Sequence, residues 1–135
     1  MNPIEEIKVR LQRYPNVKYE SDASSISVLP TSDEGFTVEF VVTRGRYTVS
    51  FNGWHENFND VAEALDCFGF GLSDQCRLKE SRRGNVAYRW AVESKENGQW
   101  VADSETGLLI FPYWKRLEVV YLQNRLITSD TLTNE

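Results

Sequence analysis

The stretch FTVEFVVTRGRYTVSFN, Phe36 to Asn52, decides the fold class. With Arg44-Gly45 as a two-residue turn, position 42 faces 47, 40 faces 49 and 38 faces 51. Phe36, Val38, Phe40 and Val42 then share a face with Tyr47, Val49 and Phe51. The opposite face carries Thr37, Glu39, Thr43, Arg46, Thr48 and Ser50, with Val41 the one exception. A register that sorts side chains this cleanly is the mark of a half-buried antiparallel hairpin, because slipping it by one residue would turn every apolar group to water.

Upstream of the hairpin, VKYE and SISVL are short strands separated by the polar SDAS, and TSDEG (31–35) is a loop. The chain opens on a helix signal. Asn2 can cap, Pro3 suits the first helical position and Glu5 completes a capping-box-like pattern. Ile4, Ile7, Leu11 and Tyr14 recur at helical spacing, and Pro15 stops the helix.

Downstream lies FNGWHENFNDVAEALDCFGFG (51–71), with the only histidine of the chain. It reads as a hinge from strand to helix. Gly53 lets the strand bend, Trp54 anchors the turn, and His55 and Glu56 face water. Asn57 or Asn59 caps a second helix, DVAEALDCF, whose Val61, Leu65 and Phe68 face the core and which Gly69 and Gly71 end. Further on, CRLKESRR and VAYRWAVES flank a turn at Gly84-Asn85. QWVA and LLIF flank DSETG, and LEVVYLQNRLI reads as a last strand. The expected fold is α+β: a mostly antiparallel curved sheet with an N-terminal helix and one inserted helix packed on one face. Residues 1–127 form one domain and 128–135 a polar, frayed tail.

Composition narrows the functions. The chain has 135 residues, enough to bury a core without disulfide or metal, and its 41% hydrophobic content argues against disorder. A net charge of −5 argues against a dedicated nucleic-acid binder. Two cysteines, Cys67 and Cys76, make neither a disulfide framework nor a zinc site. No secretory h-region opens the chain, and no apolar run approaches the ~18 residues of a membrane span. The expectation is a cytoplasmic protein with reduced thiols, no cofactor, no metal and no membrane partner.

Motifs for chemistry are sparse. HENFND is not HExxH, the glycines of GFG follow a helix instead of opening one, and neither GxxxxGK[ST] nor GxSxG occurs. His55 could serve as a base beside Glu56 or Asp60. Cys67 lies ~12 Å along the helix from its cap, too far to pair directly with His55.

Two stretches suggest contact surfaces. In CRLKESRRGNVAYRWAVES a three-residue loop, Gly84 to Val86, would put Leu78, Tyr88, Trp90 and Val92 on one strand face. Arg77, Lys79, Arg83 and Arg89 fall on the other, with Ala87, Ala91 and Glu93. Alternation alone places charges on a solvated face, and an anionic partner is the functional alternative. In LLIFPYWKR, Pro112 breaks a strand-like run and leaves Tyr113 and Trp114 beside Lys115 and Arg116, the composition of a binding hot spot. The leading expectation is a non-catalytic binding or protein-interaction module with a protein or small-molecule partner. Its candidate residues are Trp54, His55, Glu56, Tyr113, Trp114, Arg77, Lys79 and Arg89. The alternatives are an enzyme using His55 with a nearby carboxylate in a pocket, and an accessory protein touching nucleic acid through Arg77, Lys79 and Arg89.

Overall fold

The hairpin of 36–52 forms in the expected register: Val38 pairs Phe51, Phe40 pairs Val49 and Val42 pairs Tyr47. The structure, a computed structural model, describes residues 2–128. The expected frayed tail therefore lies outside the described residues from 129 onward. Arg44 and Gly45 take φ of 46° and 80°, the double left-handed turn that matches the twist of a tight hairpin.

Among the described residues nine strands and two helices run in the order α1 (Pro3–Leu11), β1 (Lys18–Ser21), β2 (Ser25–Leu29), β3 (Val38–Thr43), β4 (Arg46–Phe51), β5 (Trp54–Phe58), α2 (Val61–Leu72), β6 (Cys76–Arg83), β7 (Val86–Glu96), β8 (Gln99–Gly107) and β9 (Leu117–Leu122). All strand pairing is antiparallel. The fold is α+β and mostly antiparallel, as expected, and the strands divide into two sheets: β1-β2-β3-β4-β5 and β8-β7-β6-β9. One core spans both. Ile26, Val28, Phe40, Val49 and Phe51 of the first sheet meet Cys76, Leu78, Val92 and Leu122 of the second, with Ile4, Ile7 and Leu11 of α1 and Phe68 of α2.

Several elements depart from the sequence reading, each for a local reason. WHE is not a hinge. Phe51 pairs Trp54 across Asn52-Gly53, and Trp54–Phe58 is a full strand on the edge of the first sheet. Asn52 takes φ 52°, a value asparagine tolerates well. Gly53 serves packing more than bending, because a Cβ there would run into the Trp90 ring. The N-cap of α2 is Asp60, whose carboxylate accepts from the Ala62 N–H at 3.3 Å. Asn57 is not free to cap: it lies in β5 and its Oδ1 accepts from Thr48 Oγ1 at 2.7 Å.

Gly69 and Gly71 do not end α2, which continues to Leu72. Gly71 is there because a side chain would strike the Phe51 ring. α1 closes at Leu11, three residues before Tyr14, which is held by a turn to the Leu11 carbonyl at 3.0 Å. DSETG is strand, the second half of β8, and LLIF is not. Finally, Arg83 pairs Val86 across the two-residue turn at Gly84-Asn85, not across the longer loop Gly84 to Val86, and a bulge opposite Ser81/Arg82 absorbs one residue. The body of the hairpin, Leu78 with Val92 and Glu80 with Trp90, keeps the expected alignment because the bulge supplies the residue that the longer loop would have held.

Two buried polar groups tie the layers together. Glu80 accepts from Trp90 Nε1 at 2.9 Å and from Arg82 Nε at 2.7 Å, with Asn52 Nδ2 at 3.5 Å. Asn124 accepts from the Phe36 N–H and donates to the carbonyls of Phe36 and Gly71. Trp54 Nε1 donates to Ser104 Oγ at 3.0 Å, joining β5 to β8.

Candidate binding surface

β8 and β9 sit at opposite edges of the second sheet, so residues 108–116 must cross the ends of β7 and β6. The crossing is pinned at both feet. Leu108 N–H donates to the Tyr88 carbonyl at 2.7 Å, and Gly84 N–H donates to the Arg116 carbonyl at 3.0 Å. The Phe111 ring stacks on Tyr88 with centroids 4.1 Å apart. Arg83 reaches the Lys115 carbonyl through Nη1 at 3.4 Å. Turns from Tyr113 N to Phe111 O and from Lys115 N to Pro112 O shape the middle. Gly84 takes φ 61° and lies under the Lys115 side chain.

Between these anchors four large side chains point into solvent. Leu109 is 98% exposed, Ile110 91%, Tyr113 72% and Trp114 71%. The two rings pack edge to face at 5.3 Å. Lys115 and Arg116 follow, both exposed, and neither has a carboxylate partner among the described residues. Burying a Leu or Ile is worth ~1.5–3 kcal/mol. A pinned loop that leaves two of them in water has its apolar surface outside the fold's own core.

The outer face of the second sheet carries the basic stripe, half of it paired with carboxylates. Arg77 Nε donates to Glu93 at 2.7 Å, and its guanidinium lies over the rings of Trp100 and Tyr121 at 4.7 and 4.2 Å. Arg89 pairs with Glu105 at 3.1 Å and Arg82 with Glu80 on the inner face. Lys79 lies in the same stripe, half-buried, opposite Tyr121 of β9. Arg77 and Arg89 are thus held by carboxylates, whereas Lys79 and Arg83 have no carboxylate partner among the described residues.

The remaining candidates are scattered. Trp54 is 3% exposed and stacked on Phe51 at 4.6 Å, so it belongs to the core. His55 and Glu56 face solvent on β5, with His55 opposite Ser50. The concavities of the surface include two of note. One, about 820 Å³, lies between α1 and α2 and is lined by Ile7, Tyr14, Leu65, Phe70, Leu126 and Ile127 among others. The other, about 350 Å³, lies beside Arg77, Tyr121 and Asn124. His55 lines neither. No cluster of three or more metal-ligating side chains occurs among the described residues.

Both cysteines are free, Cys76 buried and Cys67 half-buried. Burial pushes the Cys67 thiol up to about 12, with Glu56 and Asp103 adding to it, and burial raises Cys76 as well. A thiol held neutral in this way is a poor nucleophile.

Sequence reasoning missed Leu109 and Ile110 by assigning them to a strand. The signal was present in Pro112, which cannot continue a ladder, and in the cluster of aromatics after it. It also missed the groove between the helices, for which no short motif exists. The fold and surface define an α+β two-sheet protein with an exposed aromatic and cationic loop. A scan of protein-family models, a search of curated proteins and a search of solved structures each return no match to this chain.

Proposed function

We propose that the protein is a non-catalytic binding module whose recognition element is the loop 108–116. The observation that supports the reading is the near-complete exposure of Leu109 and Ile110 on a segment hydrogen-bonded at both ends. Exposed apolar clusters rimmed by polar groups mark contact sites, and Trp, Tyr and Arg dominate binding energy where they cluster. The enzyme reading has less behind it: His55 lines neither of the two concavities described above. Two free, unreactive thiols suit a reducing compartment, and we place the protein in the cytoplasm on that ground. No helix among the described residues is long and apolar enough to cross a membrane.

The test compares the intact chain with Leu109→Ser/Ile110→Ser as bait in lysate of its own cells. The binding-module reading expects at least one retained species to be lost with the double variant while the urea midpoint stays unchanged. Identical retention by both baits would overturn it.

A further inference from the structure

We infer that two copies of this chain join edge to edge through β9, antiparallel, about a two-fold axis at Val119. The starting observation is the direction of the backbone along that strand. β9 is an outer strand of the second sheet and pairs β6 on one side only. Next to the pair Arg83–Leu117, the Arg116 carbonyl turns inward and accepts from the Gly84 N–H at 3.0 Å. Past the other end, the Gln123 N–H turns outward and donates to the Glu34 carbonyl at 2.7 Å. Backbone groups alternate in direction along an antiparallel strand. Glu118, Val120 and Leu122 therefore bond to β6 like Arg116, while Leu117, Val119 and Tyr121 aim N–H and C=O away from it. None of those three has a backbone partner on that side among the described residues.

The sheet edges differ in how they are guarded. β1 is four residues long, polar and exposed throughout, with Lys18 and Glu20. β5 carries His55 and Glu56, and β8 carries Asp103 and Glu105 with a bulge in its pairing to β7. Short length, charges and bulges are what keep an edge from pairing. β9 pairs β6 with no shift of register, has Glu118 as its one charge, and leaves Leu117, Val119 and Tyr121 exposed.

Charge at the two ends of this edge points to a second copy as the occupant. Lys115 and Arg116 lie just before β9, and Asp33 and Glu34 lie beside its far end through the Glu34–Gln123 bond. All four are exposed, and none is in an ion pair among the described residues. Arg125 stands at the acidic end too and offsets one of the two acids. Antiparallel pairing of two identical strands sets the cationic end of each copy against the acidic end of the other, so opposite charges meet twice. With Val119 opposite its own counterpart, Leu117 faces Tyr121 of the second copy, and each facing pair exchanges two N–H···O bonds. Glu118 faces Val120, and the two Glu118 side chains stand diagonally, the one unfavourable neighbour in this register. So short a pairing falls below the roughly 800 Å² per side of a standard interface, so the dimer forms with a Kd in the micromolar range or weaker.

The experiment is sedimentation velocity of the full chain over a range of concentrations, with monomer passing to dimer as the expected result. Val119→Pro removes an N–H that faces outward and spares the ladder to β6, and it should raise Kd about tenfold or more. Asp33→Lys/Glu34→Lys and Lys115→Glu/Arg116→Glu should each associate more weakly than the unaltered chain. An equimolar mixture of the two should recover association, because their reversed ends match. A short bifunctional thiol reagent reads the register, with the unaltered chain as background for Cys67 and Cys76. Val119→Cys should link to itself. Leu117→Cys should link to Tyr121→Cys and not to itself, since its own counterpart lies ~14 Å along the strands.

A chain still monomeric at about 1 mM overturns the inference. So does a folded Val119→Pro chain that associates like the unaltered one, or a charge-reversed mixture that does not recover. Should Val119→Pro fail to fold, the cross-links decide, and Val119→Cys that links no better than Leu117→Cys alone sinks the proposal. If Leu109→Ser/Ile110→Ser abolishes association, the loop and not the edge joins the copies, and the inference falls.

Discussion

Gly69 and Gly71 stand in the same helix and carry opposite consequences. Neither φ is left-handed, so neither glycine is needed for backbone reasons. Gly69 has open space where a Cβ would be, and Gly71 has the Phe51 ring. Gly69→Ala should stabilise by ~0.5–1 kcal/mol through helix propensity alone. Gly71→Ala should destabilise by ~1–3 kcal/mol, since overpacking outweighs that gain. Urea unfolding of the two variants checks this, and a stabilised Gly71→Ala would show that helix and sheet do not approach so closely. The thiols give a pH dependence at the same scale. In the folded chain Cys67 stays neutral up to about 12, from an ordinary value of 9.0, and Cys76 is shifted the same way. Below 9.0 both states keep the thiols protonated and nothing changes with pH. Between 9.0 and about 12 the unfolded chain ionises and the folded one does not, so stability falls as pH rises. Urea midpoints taken below and well above the ordinary thiol value should show this decline, and Cys67→Ala should make it shallower.

β5 shows how a motif changes meaning once it has a partner strand. Read alone, WHE before a run of asparagines suggests a junction. Paired with β4, it is an edge strand in which Trp54 is buried and His55 is exposed. The signal for this was in the chain, since Asn-Gly between Phe51 and Trp54 is a strong short-range hairpin cue. Trp54→Ala should cost ~3–5 kcal/mol, the range for a truncated core aromatic. His55→Ala should stay within about ±0.5 kcal/mol, as surface changes do. Thermal unfolding of both decides it, and a comparable loss in His55→Ala would contradict the strand's orientation. The β6–β7 hairpin teaches a second lesson. Counting alternation back from the core gave the right pairing for Leu78 and Trp90, but it placed the odd residue in the turn. In the structure that residue is taken up in a bulge at Tyr88, which sets the Tyr88 ring under Phe111 and gives the exposed loop its foothold.

Across the whole molecule, stability and recognition are assigned to different surfaces. Asn124, 88 positions from Phe36 in the chain, fastens the segment after β9 to the stretch that leads into β3 and to α2. Asn124→Ala should cost about 1–3 kcal/mol for the Phe36 N–H left unpaired, with the lost carbonyl partners adding to it. A change under half a kcal/mol in urea unfolding would mean that another contact carries the closure. Leu109→Ser/Ile110→Ser should by contrast leave the urea midpoint unmoved and affect binding alone, because those side chains touch solvent and not the core.

By itself the sequence determined the α+β class, the capped first helix, and the register of 36–52 with its buried Phe40, Val49 and Phe51. These follow from patterns of period 2 and 3.6 that are local, so a few neighbouring residues suffice to specify them. Only the tertiary structure decided that the strands divide into two sheets, and that Gly53 and Gly71 exist for Trp90 and Phe51. It alone made Glu80 and Asn124 internal fasteners, paired the basic stripe with Glu93 and Glu105, and left Leu109 and Ile110 outside. Each of these turns on which distant side chain arrives at a given point. A glutamate, an asparagine or a leucine carries no mark in the sequence of the neighbour that will meet it.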